Sequence, residues 1–264
     1  VKFSASLTFM FTELPFLDRF QAARDAGFDG VEIQVLPDLP LADIARAREA
    51  ADITVALINV GMGDLLEGGL GLSGVPDRRD AYAAALARAM AATEALAVAH
   101  VHVGPSRTGS ARREDCLATY RDNLARSLDA AQRLACPPRL LIEPMNRVDM
   151  PDALITDIAA AAAIAQNSPE NQLGLLFDIY HETMNGHDPV ESYRRHSAEI
   201  AHAQFSNVPG RREPGVGELD LSGILAALVA AGYDGWFGAE YKPSATTTAT
   251  LGWLAPWRAI AARS

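Results

Sequence analysis

Short apolar runs alternate with longer stretches of helical spacing along the whole 264-residue chain. Phe3 to Leu7, Gly30 to Gln34 and Thr54 to Asn59 are short apolar-rich runs that read as buried strands. So do His100 to Val103 and residues 139–142, 173–177, 200–205 and 235–239. Between them the spacing predicts helices over Phe16 to Ala26, with Gly27 as its C-cap, and over Leu41 to Ala51, Asp77 to Ala97 and Arg113 to Leu134. Further helices are predicted over Asp152 to Ala165, Pro189 to His196, Leu221 to Ala230 and roughly 247–261. Eight strand–helix units without a break in composition are the pattern of a (β/α)8 TIM barrel, one domain over residues 1–264. A doubly wound open sheet is the alternative, but no dinucleotide-binding glycine motif follows the first strand.

A glycine-rich segment from Gly61 to Val75 interrupts this rhythm. It lacks the spacing of a phosphate-binding loop and is expected to be a mobile active-site loop.

Composition narrows the classes of function. With 49% hydrophobic residues the chain can bury a large core. A net charge of −10 opposes binding to phosphate backbones, so no nucleic-acid partner is expected. The two cysteines, Cys116 and Cys136, are expected to be inert helix residues, and a reducing, cytoplasmic setting fits them. No run has the length of a membrane span, and the N-terminal residues read as a first strand and not as a signal peptide. The Ala-rich helical faces are compatible with a homo-oligomer without requiring one.

Chemistry gathers where the strands end. Arg139-Leu-Leu-Ile is followed by Glu143, Leu173-Gly-Leu-Leu-Phe ends in Asp178, Ile200-Ala-His-Ala ends in Gln204, and Gly235-Trp-Phe-Gly-Ala ends in Glu240. In a barrel all strand ends meet on one face, and neighbouring strands lie about 4.8 Å apart. Four oxygen donors from consecutive strands can then converge on one hard cation, Mg²⁺ or Mn²⁺. Each residue alone would pass for an ordinary strand-end polar group. Together, three carboxylates call for a positive charge.

Other candidates surround this set. His181 lies three residues past Asp178, and His102 closes the fourth strand, where it is preferred to His100 for its later position. His187, His196 and His202 are taken as structural or solvated. Arg211, with Arg212, sits in the loop after the seventh strand, either to hold a substrate carboxylate or to pair with Glu213 or Glu218. Lys242, two residues past Glu240, has the same two readings.

Several motifs then carry a resemblance. They are Phe9-Met-Phe-Thr-Glu-Leu-Pro-Phe, Gly71-Leu-Ser-Gly-Val-Pro-Asp-Arg, Ile142-Glu-Pro and Phe177-Asp-Ile-Tyr-His181. With them go His202-Ala-Gln204, Pro209-Gly-Arg-Arg-Glu-Pro with Gly217-Glu218, and Gly238-Ala-Glu-Tyr-Lys-Pro243 ahead of Gly252-Trp253. Over nearly its full length the chain resembles the hydroxypyruvate isomerase group of the xylose-isomerase-like TIM barrels. The resemblance implies a divalent metal on Glu143, Asp178, Gln204 and Glu240, proton transfer by Glu143 and Glu240, and substrate contacts from His181 and Arg211. It also implies a substrate of the hydroxypyruvate/tartronate semialdehyde or 2-oxo-tetronate type, a short hydroxy-keto acid or sugar isomerised through a cis-enediolate. In the related ketose 3-epimerases the third ligand is usually histidine, so Gln204 leans toward the isomerase branch. An AP-endonuclease-like phosphoesterase would need about three metals and several histidine ligands, which six scattered histidines do not supply. The polar segments Asn146 to Asp149 and Gly104 to Arg107 are where substrate choice is expected.

Overall fold

A computed structural model of the chain describes residues 1–169 and 172–262. Eight parallel strands close into a barrel in sequence order: β1 Lys2–Ser6, β2 Gly30–Ile33, β3 Thr54–Asn59, β4 His100–His102, β5 Arg139–Ile142, β6 Leu173–Asp178, β7 Ile200–Phe205 and β8 Trp236–Ala239. The helices are α1 Asp18–Asp25, α2 Leu41–Ala50, α3 Arg79–Leu96, α4 Arg113–Ala131, α5 Ile158–Gln166, α6 Ile179–Met184, α7 Pro189–His196, α8 Leu221–Ala230 and α9 Leu254–Ala261. The (β/α)8 expectation holds, and among the described residues no helix is long and apolar enough to cross a membrane.

Alternation along each strand divides the molecule into two layers. Outward residues such as Phe3, Val31, Val101, Leu140, Phe177, Phe205 and Phe237 join the large core between barrel and helices. Inward residues fill the lumen, where Leu57, Leu141 and Leu176 form a small separate cluster. Above and beside these leucines the lumen is polar, with Ser4, Ser6, Glu32, His102, His202 and Gln204 all buried. Gly238 of β8 also belongs to this inner face. A Cβ there would fall 2.0 Å from Glu32 Oε1, so the glycine makes room for the glutamate.

Several helix ends shift by one to three residues from those expected, and two helices and one unforeseen element differ more. The helix expected from Asp152 starts only at Ile158, because residues 149–157 dock on the strand-four loop, with Ala153 bridged to Arg107 and the Leu154 amide donating to Ser106. Asp157 then caps α5 by accepting from the Ala160 amide. The last helix is two pieces, a 3-10 turn over Thr247–Thr250 and α9, with Gly252 between them. The six-residue α6, directly after β6, is too short to leave a helical period in the sequence. Cys116 is buried in α4 but Cys136 is exposed beyond its end, and both are free thiols.

Candidate active site

Glu143 is the first residue after β5, held extended by the following Pro144. Asp178 is the last residue of β6 and also the N-cap of α6, accepting from the Tyr180 amide at 2.8 Å. That capping starts the helix at once and brings His181 back over the rim. Gln204 sits in register with Asp178 on one side and Gly238 on the other. Glu240 is the first residue after β8.

Glu143, Asp178 and His181 each offer a ligand atom within 4.8 Å of the others. Glu240 stands outside that tight group and is joined to it by Arg211, whose Nη1 donates to Glu240 Oε2 at 2.9 Å and to Asp178 Oδ2 at 3.2 Å. The sequence reading offered Glu213 or Glu218 as loop partners of Arg211. Instead the guanidinium lies among the strand-end carboxylates, stacked 4.4 Å from the Tyr180 ring. Glu213 pairs with Ser244. Arg211 holds this pose with φ at 56°, a left-handed backbone conformation rare outside glycine and common at functional sites.

The His181 ring is oriented from behind. Asn146 Oδ1 accepts from the amides of Val148 and Asp149 at 3.0 and 2.7 Å, which turns its amide nitrogen toward His181 Nδ1 at 2.7 Å. The Asn146 backbone N–H donates to the same Nδ1 at 3.0 Å. Nδ1 is therefore an acceptor, and the ring proton sits on Nε2. Nε2 points at the carboxylates of Glu143 and Asp178, 3.6 Å from each, but it also meets Arg211 Nη2 at 2.7 Å, donor against donor. Arg211 thus answers the carboxylates' demand for positive charge at the expense of an unfavourable contact with His181.

His102 completes the rim from β4, its Nδ1 3.7 Å from Glu143 Oε2 and otherwise without a partner. His100 is separated from it by one pleat and meets His202 at 3.4 Å, deeper in the lumen. His202 is fully buried on Glu32, structural and not solvated. A cavity of about 220 Å³ opens over this constellation, lined by Glu143, Glu240, His181, Arg211 and, at its edge, Lys242. Gln34 and Asn59 face it from β2 and β3, and Arg107 and Asp149 from the two polar segments expected to govern substrate choice. The glycine-rich segment contributes Met62 and Leu65 and is anchored by Asp64, which accepts from Arg78 at 2.6 Å. A larger cleft of about 720 Å³ lies outside the barrel against α4 and α5, and its lining includes none of Glu143, Asp178, Gln204 and Glu240.

The sequence model of the family described as "Xylose isomerase-like TIM barrel" matches residues 20–257. The chain belongs to this family. A 2-oxo-tetronate isomerase of Cupriavidus necator is 36% identical over 257 residues, which cover 97% of this chain and 98% of the relative. A hydroxypyruvate isomerase of Escherichia coli is 30% identical, over 98% of this chain and the whole of the relative. Among solved structures, one titled AP endonuclease, family 2, from Brucella melitensis superposes with a TM-score of 0.88 at 31% identity, over 97% of this chain and 98% of that one. The enzyme class read from the sequence, an isomerase, agrees with the curated relatives.

In this xylose isomerase-like barrel, burial sets the protonation states at the rim. It pushes Glu143 well above the usual carboxylate range, with Glu240 and Asp178 adding repulsion. It pushes Glu240 up to about 8 although Arg211 opposes the shift. Asp178 is also raised by burial, against Arg211 and the Tyr180 amide. His102 is brought down to about 3 by burial, and His181 well below its ordinary value by burial and by Arg211, so both rings are neutral. Three carboxyl groups held toward their protonated forms and two neutral imidazoles make a site that can both receive and release protons.

Glu32 was not singled out in the sequence, and Asn146 and Tyr180 stood there only within a polar segment and a motif, without the roles they have in the structure. Glu32 lies one pleat below Gln34 in the lumen, Asn146 orients His181, and Tyr180 donates to Asp149 at 2.9 Å beneath Arg211. For Glu32 the signal was present: a charged residue between Val31 and Ile33 in a strand can only face the other way.

Proposed function

We propose that the chain is a divalent-metal-dependent isomerase of a short hydroxy-keto acid or sugar, of the hydroxypyruvate or 2-oxo-tetronate type. The observation that carries this reading is the pair Glu143 and Glu240, two buried carboxyl groups that line the same small cavity, with raised pKa. At about 220 Å³ the cavity has room for roughly seven water volumes, enough for a chain of a few carbons.

The residues fit a hard cation. Glu143, Asp178, Gln204 and Glu240 offer oxygen donors only, suited to Mg²⁺ or Mn²⁺. Gln204 Oε1 is buried and has no partner, as a ligand atom awaiting its ion would be. The Arg211 guanidinium between Asp178 and Glu240 serves as a stand-in positive charge. When bound, the metal would supply electrostatic stabilisation to the negative oxygen that develops as a C–H proton leaves.

The chain's own groups would move the proton. One of Glu143 and Glu240 takes it from the carbon beside the carbonyl, giving a cis-enediolate, and the same or the facing glutamate returns it to the neighbouring carbon. His181, with its proton on Nε2, donates to a substrate oxygen, and His102 borders the same space beside Glu143. Once drawn off the carboxylates, Arg211 holds the substrate's carboxylate, assisted by Lys242 at the edge. The test is product NMR in D₂O after chelator treatment and readdition of Mg²⁺ or Mn²⁺, with hydroxypyruvate, 2-oxo-tetronates and free ketoses. Carbonyl migration with solvent deuterium at the adjacent carbon is expected. Inversion at C3 without migration would make the protein a ketose 3-epimerase instead. The likeness to the Brucella AP endonuclease, family 2, favours a second reading, a phosphoesterase acting on abasic DNA. Among the described residues, however, a single group of acidic and histidine ligands forms, and cleavage of abasic DNA is not expected.

A further inference from the structure

Glu32 is a fully buried carboxylate with no place in the proton chemistry just described. Four donors surround it. Ser4 Oγ donates to Oε1 at 2.6 Å, and His202 Nε2 meets the same oxygen at 2.7 Å. Gln204 Nε2 donates to Oε2 at 2.6 Å, and Gln34 Nε2 donates to it at 3.0 Å. Each oxygen thus meets two polar hydrogens or ring nitrogens, and the group stands as an acceptor on both sides. Gly238 leaves the space it occupies. Stability does not explain the arrangement, since well-packed apolar side chains commonly serve a core as well as a buried ion pair does.

Its consequence lies in one bond. An amide side chain can turn either its oxygen or its nitrogen toward a neighbour, and the two poses differ little in shape. The Glu32 carboxylate only accepts, so it takes the nitrogen of Gln204 and leaves Oε1 as the end without a partner. We propose that Glu32 is the positioning residue of the metal centre: it fixes the Gln204 amide with its oxygen, not its nitrogen, presented to the cation. This rests on the metal reading above. Ser4, His202 and Gln34 hold Glu32 in turn, so the pose of one ligand is set by strands β1, β2 and β7 together.

Manganese binding to chelator-stripped protein, read by the EPR signal of free Mn²⁺ and by calorimetry, tests it. Glu32→Gln places an amide against an amide and allows the Gln204 side chain to turn over. Mn²⁺ affinity is expected to fall by roughly 10–100-fold, the usual cost of disturbing a residue behind a metal ligand. Exchanging the partners, Glu32→Gln with Gln204→Glu, restores an acceptor facing the metal and a donor behind it. Most of the lost affinity is then expected to return, which a purely structural role for Glu32 would not produce. If Glu32→Gln fails to fold, the exchanged pair keeps the hydrogen bond and the volume and carries the test. Unaltered affinity in Glu32→Gln, or no recovery in a folded exchanged pair, overturns the positioning role while leaving the metal site standing. Absence of Mn²⁺ binding by the unaltered protein overturns both.

Discussion

The two halves of the barrel rim are built from different chemistry. Strands β5 to β8 end in Glu143, Asp178, Gln204 and Glu240 at the rim, where Glu143 and Glu240 line the cavity, and the loop after β7 adds Arg211. Strands β2 to β4 bring Gln34, Asn59 and a neutral His102, and their one lumen carboxylate, Glu32, is withdrawn a pleat deeper. Charge gathered on one side lets the carboxyl groups raise each other's pKa and would let them share the proposed cation. Uncharged polar groups on the other side can recognise hydroxyls without disturbing those values. A substrate lying between them would be processed by one half and sorted by the other.

The largest expected effect breaks the charged half. Glu240→Gln keeps the shape but removes a proposed proton carrier, and turnover should fall roughly 10²–10⁴-fold while substrate binding is partly kept. Steady-state kinetics measures it, and a fully active variant would end the assignment. Glu143→Gln should fall in the same range.

Next comes the response to pH without metal. Between the ordinary glutamate value of 4.5 and its folded value of about 8, Glu240 holds a proton in the fold that the unfolded chain has already released. Stability of the stripped protein should therefore decrease as pH rises through this window. The depressed histidines act in the opposite sense, but only below their ordinary value of 6.5. The clean interval is pH 6.5 to 8, over which thermal melts should show a widening gain from added Mn²⁺. A gain that shrinks with pH would mean that the carboxyl groups do not hold the ion.

The neutral half should give a smaller and different signature. Asn59 Oδ1 is buried without a partner beside the cavity, and Asn59→Ala should raise KM about tenfold, the worth of one hydrogen bond, with kcat little changed. An equal loss in kcat would place this residue with the charged half. The smallest effect is expected at Lys242, exposed at the mouth. Lys242→Met should raise KM a few-fold for carboxylate substrates at low salt, with no change for neutral ketoses. A similar rise for both would deny it a carboxylate-binding role.

Much of this site was legible because a strand end is a local feature. Glu143, Asp178, Gln204 and Glu240 each close an apolar run, and barrel closure alone gathers them. Arg211 could be named but not partnered. Its direction depends on a left-handed backbone angle in a loop, which no periodicity records. The start of α5 was misjudged because docking of residues 149–157 on Ser106 and Arg107, a contact between distant segments, overrides the helix-favouring sequence. Glu32 is the opposite case, with a clear period-two signal in β2 but no neighbour in sequence to suggest its role.

Met62 and Leu65 of the glycine-rich segment pack with Met145, Met150 and Ala153 of the loop after β5, in a cluster separate from the main core. The seam that closes one side of the cavity is therefore held largely by thioethers, the side chains most readily made polar by peroxide. An oxygen added to Met145 or Met150 would part the two loops while leaving the ionisable rim chemically intact. Oxidant damage to this protein should thus first show as weakened substrate retention, reversible by methionine sulfoxide reductase, with Mn²⁺ affinity preserved.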